Sequence, residues 1–229
     1  MCIRRKLCLL VLLASFAGAA KSAYAYDPDV ALARERKLLD TFPAIGERQK
    51  QKLVVRFRSG GQRVFEDNRS GCEINDYDNC TRYFARDFDP QRQVLLVEKF
   101  QHEWIQYELI DINSGSTITL KTLPEAAPDR RAWAIVDNGI GPTSGEGTGD
   151  ILMIDQIDGS FRIVGQIHRP MCKFDRWSNN PAFFLICASY SRSPLEGEFY
   201  VAPGPNGTLE IMLTPRRVAE TEYQSIGSE

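Results

Sequence analysis

The strongest constraint on the fold is a turn signal that recurs at nearly constant spacing. The segments 113–115 (Asn-Ser-Gly), 158–159 (Asp-Gly) and 206–207 (Asn-Gly) each lie between two apolar, strand-like runs, and their glycines are 44 and 48 residues apart. Short polar turns of this kind are typical of antiparallel hairpins. Units of this length hold roughly four strands each, so the spacing predicts a meander of small repeated sheets.

Strand-like runs fill most of the chain between these turns. An alternating run begins at Leu53, and Gly60-Gly61 turns the chain into a second run around Val64 and Phe65. The further predicted strands are 83–88, 94–100, 104–111, 117–120, 132–136, 151–157, 161–167, 182–188, 199–202 and 209–213. The unbroken apolar run at 94–97 predicts burial on both faces, whereas the alternation over 105–109 predicts one solvated face.

A second signal precedes the longest apolar runs. It comprises 89–92 (Asp-Pro-Gln-Arg), 127–130 (Ala-Pro-Asp-Arg) and 179–181 (Asn-Asn-Pro). With the turn spacing, the chain resembles the blades of β-propeller proteins over residues 82–213, with a half unit at 53–66, although it has no Trp-Asp blade signature. The resemblance implies an all-β antiparallel meander of propeller-like four-stranded units, forming an incomplete or small propeller. A β-sandwich or barrel with the same hairpins is the alternative.

The segment before the first hairpin predicts one short helix. Asp27 is a helix-capping residue, Pro28 suits the first turn, and the residues from Asp29 to Asp40 favour helix. Pro43 then ends the helix. The predicted organisation is a helix and linker at 26–52, a β domain at 53–214 and a polar C-terminal tail at 215–229.

Residues 1–25 have the three-part pattern of a cleavable secretory signal peptide. A basic stretch at 4–6 precedes an apolar run at 7–20, and Ala23 and Ala25 are the small residues before the expected cleavage. The apolar run is shorter than the roughly 20 residues of a membrane-spanning helix. We therefore expect a periplasmic or secreted protein without a membrane anchor. The pair Arg4-Arg5 leaves twin-arginine export open beside the general secretory route.

Cysteine usage fits this compartment. Cleavage leaves Cys72, Cys80, Cys172 and Cys187, and an even number in an exported chain predicts two disulfides. We expect each cysteine to pair with its nearer neighbour, because short loops cost the least entropy to close. A zinc site is disfavoured because the pairs lack the close spacing of its ligands.

The charge of the mature chain limits its partners. Removal of the signal leaves 24 basic and 30 acidic side chains. A net negative charge argues against nucleic acid and anionic membranes. An envelope protein, a glycan or a peptide remains as the expected partner, and no cofactor is expected.

The candidate recognition patch consists of Asp175, Arg176 and Trp177, close to Cys172. Tryptophan and arginine are the side chains most enriched at binding hot spots. A partly buried tryptophan on an edge strand is the alternative interpretation.

Three further candidate binding residues lie in connections between predicted strands. His102 and His168 are the two histidines, and each could act in binding or as a general base. Glu146 lies in the glycine-rich segment 139–150, which lacks the lysine of a phosphate-binding loop. The segment 75–79 carries Asp76 and Asp78 and leaves Ca²⁺ binding open, although it lacks the glycine and glutamate of an EF-hand loop.

These features favour an exported, non-catalytic binding or scaffold protein. Long connections on a rigid scaffold commonly carry function, and we expect Cys72, His102, Glu146 and His168 to gather on one face, opposite the glycine turns. A hydrolase that pairs carboxylates such as Glu146 and Asp175 is the alternative. The sequence contains no catalytic motif that supports it.

Overall fold

The computed structural model of the chain describes residues 27–73, 79–101, 104–128, 132–137, 150–168, 172–178, 182–187, 197–204 and 208–213. The predicted signal peptide and C-terminal tail lie outside these residues. The elements are α1 (Pro28–Thr41), β1 (Gly46–Gln49), β2 (Lys52–Arg56), β3 (Gln62–Glu66), α2 (Arg69–Glu73), β4 (Arg82–Asp89), β5 (Val94–Gln101), β6 (Trp104–Asp111), β7 (Thr117–Leu120), β8 (Glu125–Ala126), β9 (Ala132–Val136), β10 (Asp150–Ile157), β11 (Ser160–His168), β12 (Cys172–Trp177), β13 (Phe183–Cys187), β14 (Gly197–Pro203) and β15 (Leu209–Leu213).

The strands form four antiparallel sheets, and each sheet follows chain order. Sheet 1 is β1-β2-β3, sheet 2 is β4-β5-β6-β7, sheet 3 is β8-β9-β10-β11, and sheet 4 is β12-β13-β14-β15. The predicted all-β meander of propeller-like four-stranded units is confirmed. The turns at 113–115 and 158–159 join the paired strands β6 with β7 and β10 with β11, as their spacing predicted. The third turn, at 206–207, lies outside the described residues.

Helix α1 begins where the sequence predicts. The Asp27 carboxylate accepts hydrogen bonds from the backbone N–H groups of Asp29, at 3.0 Å, and Val30, and Pro28 occupies the first turn. A side chain at this position satisfies backbone donors that the helix leaves without partners. Strand β1 lies in the stretch expected to be a linker. Its sequence Gly-Glu-Arg-Gln carries no apolar alternation, and it is a strand because it pairs with β2.

Three buried apolar clusters join consecutive sheets. The first packs α1 and sheet 1 on sheet 2, through residues such as Leu53 and Leu95. The second joins sheet 2 to sheet 3, with Leu109 against Trp133, and the third joins sheet 3 to sheet 4, with Ile151 against Phe183. Sheets 2 and 3 are therefore covered on both faces. Among the described residues, no cluster of this kind covers the outer face of sheet 4.

This packing corrects the expected solvated face of β6. Glu108, assigned to that face, is only 8% exposed, and Arg63 of sheet 1 lies 2.9 Å from its carboxylate. The alternation over 105–109 correctly separates two faces. The second face is buried because sheet 1 packs on it.

A buried ionic cluster of Glu35, Arg48 and Asp67 attaches α1 and sheet 1 to strand β4. Glu35 is 1% exposed, and its two carboxylate oxygens accept hydrogen bonds from Arg48 Nε at 2.7 Å and Nη2 at 2.6 Å. The Arg48 guanidinium also lies 3.4 Å from the buried Asp67 carboxylate and donates to the Tyr83 carbonyl. The first part of the β4 edge, at Tyr83 and Ala85, is therefore paired by charged side chains.

The two carboxylates of this cluster also pair with backbone groups of the β4 edge. The N–H of Ala85 donates to Glu35 and that of Tyr83 donates to Asp67, each at 2.9 Å. Burial opposes the charge on Arg48, but hydrogen bonding and attraction from Glu35 and Asp67 outweigh it and raise the pKa of Arg48 above its ordinary value. The guanidinium thus stays charged wherever the chain is folded near neutral pH.

The cysteines lie in the two predicted pairs. Cys72 and Cys80 are at bonding distance, 1.99 Å between sulfurs, as are Cys172 and Cys187, at 1.97 Å. The second pair joins directly opposed residues of β12 and β13. No helix among the described residues is long and apolar enough to cross a membrane.

Candidate binding surface

Sheet 4 separates its side chains onto two faces, and only one of them is covered. The inner face includes Phe183, Leu185, Phe199 and Val201, which are buried against sheet 3. Alternate residues of a strand point to opposite faces, so their neighbours form the other side of the sheet. We define the outer face as Lys173, Arg176, Phe184, Ile186, Glu198, Tyr200, Ala202, Glu210 and Met212.

Four of these residues form one row across the strands. The register places Arg176 opposite Phe184, Phe184 opposite Tyr200, and Tyr200 opposite Met212. The guanidinium carbon of Arg176 lies 4.1 Å from the centroid of the Phe184 ring. The Phe184 and Tyr200 rings meet edge to face, with centroids 5.4 Å apart. Cross-strand contacts of this kind, including the cation–π contact, hold the row in a defined arrangement.

Arg176 is also held by two carboxylates. It donates to Asp175 and, at 2.5 Å, to Glu198 of β14. The hydrogen bond that Arg176 donates to Glu198 is the main reason that the pKa of Arg176 is raised above its ordinary value. Asp175 lies at a register irregularity between Phe174 and Arg176, which lets it approach its neighbour's side chain. The cation thus lies over the Phe184 ring at the β12 side of the face.

Two aliphatic side chains of the outer face are substantially exposed. Ile186 is 39% exposed and Met212 is 48% exposed. Met212 is the last residue of the row, on β15, and Ile186 lies next to Phe184 on the same face of β13. Aromatic residues, methionine and arginine are enriched at protein interfaces, whereas lysine and carboxylates are depleted. The composition of the row is that of an interface rather than of an ordinary solvated sheet face.

The structure divides the recognition patch predicted at 175–177. Arg176 lies on the outer face with Asp175 beside it, whereas Trp177 packs with the inner cluster. The Trp177 ring centroid is 5.4 Å from that of Phe183 and 5.8 Å from that of Phe174, and its indole nitrogen is buried and has no hydrogen-bond partner among the described residues. Trp177 is therefore a partly buried residue on an edge strand, which was the alternative interpretation of this segment.

The other predicted site residues are not brought together by the described part of the chain. His102 and Glu146 lie outside the described residues, as does the side chain of His168, and so do Asp76 and Asp78. The gathering of Cys72 with the histidines and Glu146 on one face stays a prediction. Within the described ranges, no group of three or more histidine, cysteine or acidic side chains could hold a metal ion.

The sequence predicted strands β13, β14 and β15 of this surface, but it predicted neither β12 nor the surface itself. Phe184, Ile186, Tyr200 and Met212 all lie in predicted strands. Strand β13 is apolar at both alternating sets of positions, so its pattern does not show which set is left uncovered; in β14 and β15 only Glu198 and Glu210 mark the outer set.

Comparison of the chain with protein-family models, with curated proteins and with solved structures found no match.

Proposed function

We propose that this chain is an exported, non-catalytic binding protein of the bacterial periplasm or exterior, and that it contacts an envelope protein through the outer face of sheet 4. The observation that carries the proposal is the row of Arg176, Phe184, Tyr200 and Met212 on a sheet face that no described element covers. A rigid aromatic and arginine row of this kind is the usual centre of a protein interface.

The distribution of charge on the outer face favours a protein as the partner. The centre of the face is apolar or aromatic, around Phe184 and Ile186. Its charged side chains, which stand beside this centre, are Lys173, Arg176, Glu198 and Glu210. Arg176 and Glu198 neutralise each other at 2.5 Å. An apolar centre with a polar rim matches the anatomy of protein–protein interfaces. A glycan, with many hydroxyl groups, would need more unpaired donors and acceptors at the centre.

The contacts within the row also reduce the cost of binding. Arg176 and Phe184 already lie in contact, as do Phe184 and Tyr200. Side chains that are ordered before association lose less conformational entropy when a partner covers them. We therefore expect the row to act as the energetic centre of the interface.

Two features support the proposed location. Two cysteine pairs at bonding distance suit an oxidising compartment outside the cytoplasm. Residues 1–25 supply the proposed export signal.

The proposal is tested first by finding the partner. The photoreactive residue p-benzoylphenylalanine is introduced in place of Tyr200, and in a matched strain in place of Ile163 of β11, which is 50% exposed but belongs to sheet 3. We expect a specific crosslinked protein from position 200 and not from position 163 in cells of the producing bacterium. The crosslinked protein is identified by mass spectrometry and purified.

The second stage measures binding of that purified protein by calorimetry. Phe184→Ser with Met212→Ser should weaken binding at least tenfold, which is about 1.4 kcal/mol, whereas Ile163→Ser should not. Melting temperatures must stay close to that of the unmodified chain. Equal crosslinking from both positions, or unchanged affinity of the double variant, would exclude the outer face as the docking surface. Selective loss of glycan or peptide binding instead would overturn the choice of a protein partner.

A further inference from the structure

Strand β1 presents a free backbone edge. Within the described residues, β1 pairs with β2 alone. Arg56 N–H donates to the Ile45 carbonyl at 2.9 Å. Ile45 and Arg56 are thus a hydrogen-bonded pair, and hydrogen-bonded and non-hydrogen-bonded pairs alternate along the two strands. Gly46 and Arg48, opposite Val55 and Leu53, therefore direct their own N–H and C=O groups away from β2. An edge of this kind can pair with one more strand.

A groove runs between this edge and helix α1. Its volume is about 660 Å³, and its walls include Gly46 and Arg48 of β1. The α1 wall carries Leu32, Arg36 and Asp40, which are spaced four residues apart and so share one face of the helix. Along the axis, this wall extends for about 12 Å, and the four residues of β1 extend for about 13 Å. The two walls match in length.

The helix and the strand run in opposite directions. The chain reverses between Thr41 and Gly46, and Glu35 of the helix contacts Arg48, near the end of β1. A segment that paired with β1 in the antiparallel sense would therefore run parallel to α1. It would pass Leu32, then Arg36, then Asp40.

The residues of the helix wall are spaced along the helix axis at nearly the same distance as alternate residues of a strand. Four helical residues rise about 6 Å, and two strand residues, which share a face, rise about 6.6 Å. Side chains at every second position of an added strand would thus lie opposite Leu32, Arg36 and Asp40 in turn. The next would reach Pro43, which lines the groove beyond the end of α1. Arg36 and Asp40 are exposed, and the described part of the chain shows no ion pair for either of them. They supply one positive and one negative charge at adjacent positions.

We infer that this groove binds an extended peptide segment, which adds as a strand to β1. The helix-facing residues of the segment are, in order, apolar, acidic, basic and apolar. The acidic side chain lies opposite Arg36 and the basic one opposite Asp40. Strand addition supplies backbone hydrogen bonds, and the alternate side chains supply selectivity. The groove is a second site, separate from the outer face of sheet 4.

The geometry also specifies which backbone groups of the peptide pair. Arg48 points its side chain toward Glu35 of α1, so the residues opposite Gly46 and Arg48 face the helix as well. Residues that face each other in a hydrogen-bonded pair exchange N–H and C=O bonds. The acidic and basic residues of the peptide therefore donate their N–H groups to β1. The residues between them point their N–H groups away.

The probe is the acetylated and amidated peptide Leu-Thr-Asp-Thr-Lys-Thr-Leu, carrying a fluorophore, titrated with the mature chain and followed by fluorescence anisotropy. We expect saturable binding. A peptide with aspartate and lysine exchanged should bind about fivefold more weakly, because two attractive pairs become repulsive. The variant Arg36→Asp with Asp40→Arg should reverse that preference. Both positions are exposed, so the variant is expected to fold normally.

Backbone methylation separates strand addition from simple charge attraction. N-methylation of the aspartate and lysine should weaken binding at least tenfold, whereas N-methylation of the central and last threonines should change it little. This comparison uses the unmodified protein. Absence of saturation at millimolar protein, equal effects of the two methylation patterns, or indifference to the charge exchange would each overturn the inference. The double variant Phe184→Ser with Met212→Ser should bind the probe as the unmodified chain does, because its substitutions lie on the outer face of sheet 4. A failure of the proposed function is thereby distinguished from a failure of this inference.

Discussion

Replacing Arg48 with methionine tests the buried ionic cluster that attaches α1 to sheet 2. The substitution keeps an unbranched apolar stem of similar reach and removes the guanidinium. It leaves the carboxylates of Glu35 and Asp67, which are 1% and 3% exposed, without their shared cation. It also removes the donor to the Tyr83 carbonyl on the β4 edge.

The expected loss follows from the burial of the partners that remain. Removing one member of a buried ion pair costs about 3–5 kcal/mol, because the remaining charge is left uncompensated away from water. Arg48 engages Glu35 through two hydrogen bonds, at 2.7 Å and 2.6 Å. We therefore expect Arg48→Met to lower the free energy of unfolding by about 4 kcal/mol. The decrease is not expected to be larger, because the carboxylates still accept hydrogen bonds from the backbone N–H groups of Ala85 and Tyr83.

The matched control is Arg56→Met, on the neighbouring strand of the same sheet. Arg56 lies 2.5 Å from Glu47, but both side chains are more than 40% exposed. Exposed ion pairs contribute at most about 1 kcal/mol. Urea unfolding of the unmodified chain and the two variants, followed by circular dichroism and extrapolated to water, gives the comparison.

A cycle with Glu35→Gln separates the pair from the rest of the cluster. In the double variant Glu35→Gln with Arg48→Met, the buried charge of Glu35 is absent. The decrease in unfolding free energy of the double variant should therefore be smaller than the sum of the decreases in the two single variants. If Arg48→Met costs no more than Arg56→Met, or if the two losses add, the carboxylates do not depend on Arg48. Arg48 would then not be the residue that holds α1 on sheet 2.

Two other predictions concern the core of the chain. Replacing both Cys172 and Cys187 with alanine should lower the free energy of unfolding by about 3 kcal/mol, because this disulfide closes a loop of 15 residues. The same change at Cys72 and Cys80, which close a loop of 8 residues, should lower it by about 2.5 kcal/mol. Equal urea midpoints with and without the cysteines would contradict this. Burial raises the pKa of Tyr107 above its ordinary value of 10.0. The folded chain therefore holds the phenol proton of Tyr107 more tightly than the unfolded chain does. The stability that Tyr107 contributes in this way is fully present below the unfolded-state pKa and is lost as pH rises through the folded-state pKa. Between about pH 9 and about pH 11, stability should thus fall less in Tyr107→Phe than in the unmodified chain, and parallel curves would refute the assignment.

Local signals were sufficient for most of the strands and for the helix. Turn residues such as those at 158–159 act through their own backbone preferences, and a capping residue such as Asp27 acts on the next turn of chain. The pairing of Cys172 with Cys187 also follows from proximity along the chain. These features require no knowledge of distant residues, which is why the sequence predicts them.

Local sequence signals did not predict strands β1, β8 and β12. Each lies at the edge of its sheet, and the sequence gives β1 no apolar alternation. Their extended state comes from backbone pairing with β2, β9 and β13. Such pairing depends on the partner strand rather than on the propensity of the edge residues.

The functional surfaces depend most on tertiary structure. Alternation in β13 shows that Phe183 and Phe184 point to opposite faces, but both are aromatic and either could be buried. Phe183 is buried because sheet 3 packs on its side, while Phe184 contacts Arg176 on the side that no described element covers. The period of a strand thus determines which residues share a face. The face that stays exposed is decided only when sheets distant in sequence pack together, since burial is a property of the assembled layers and not of the strand.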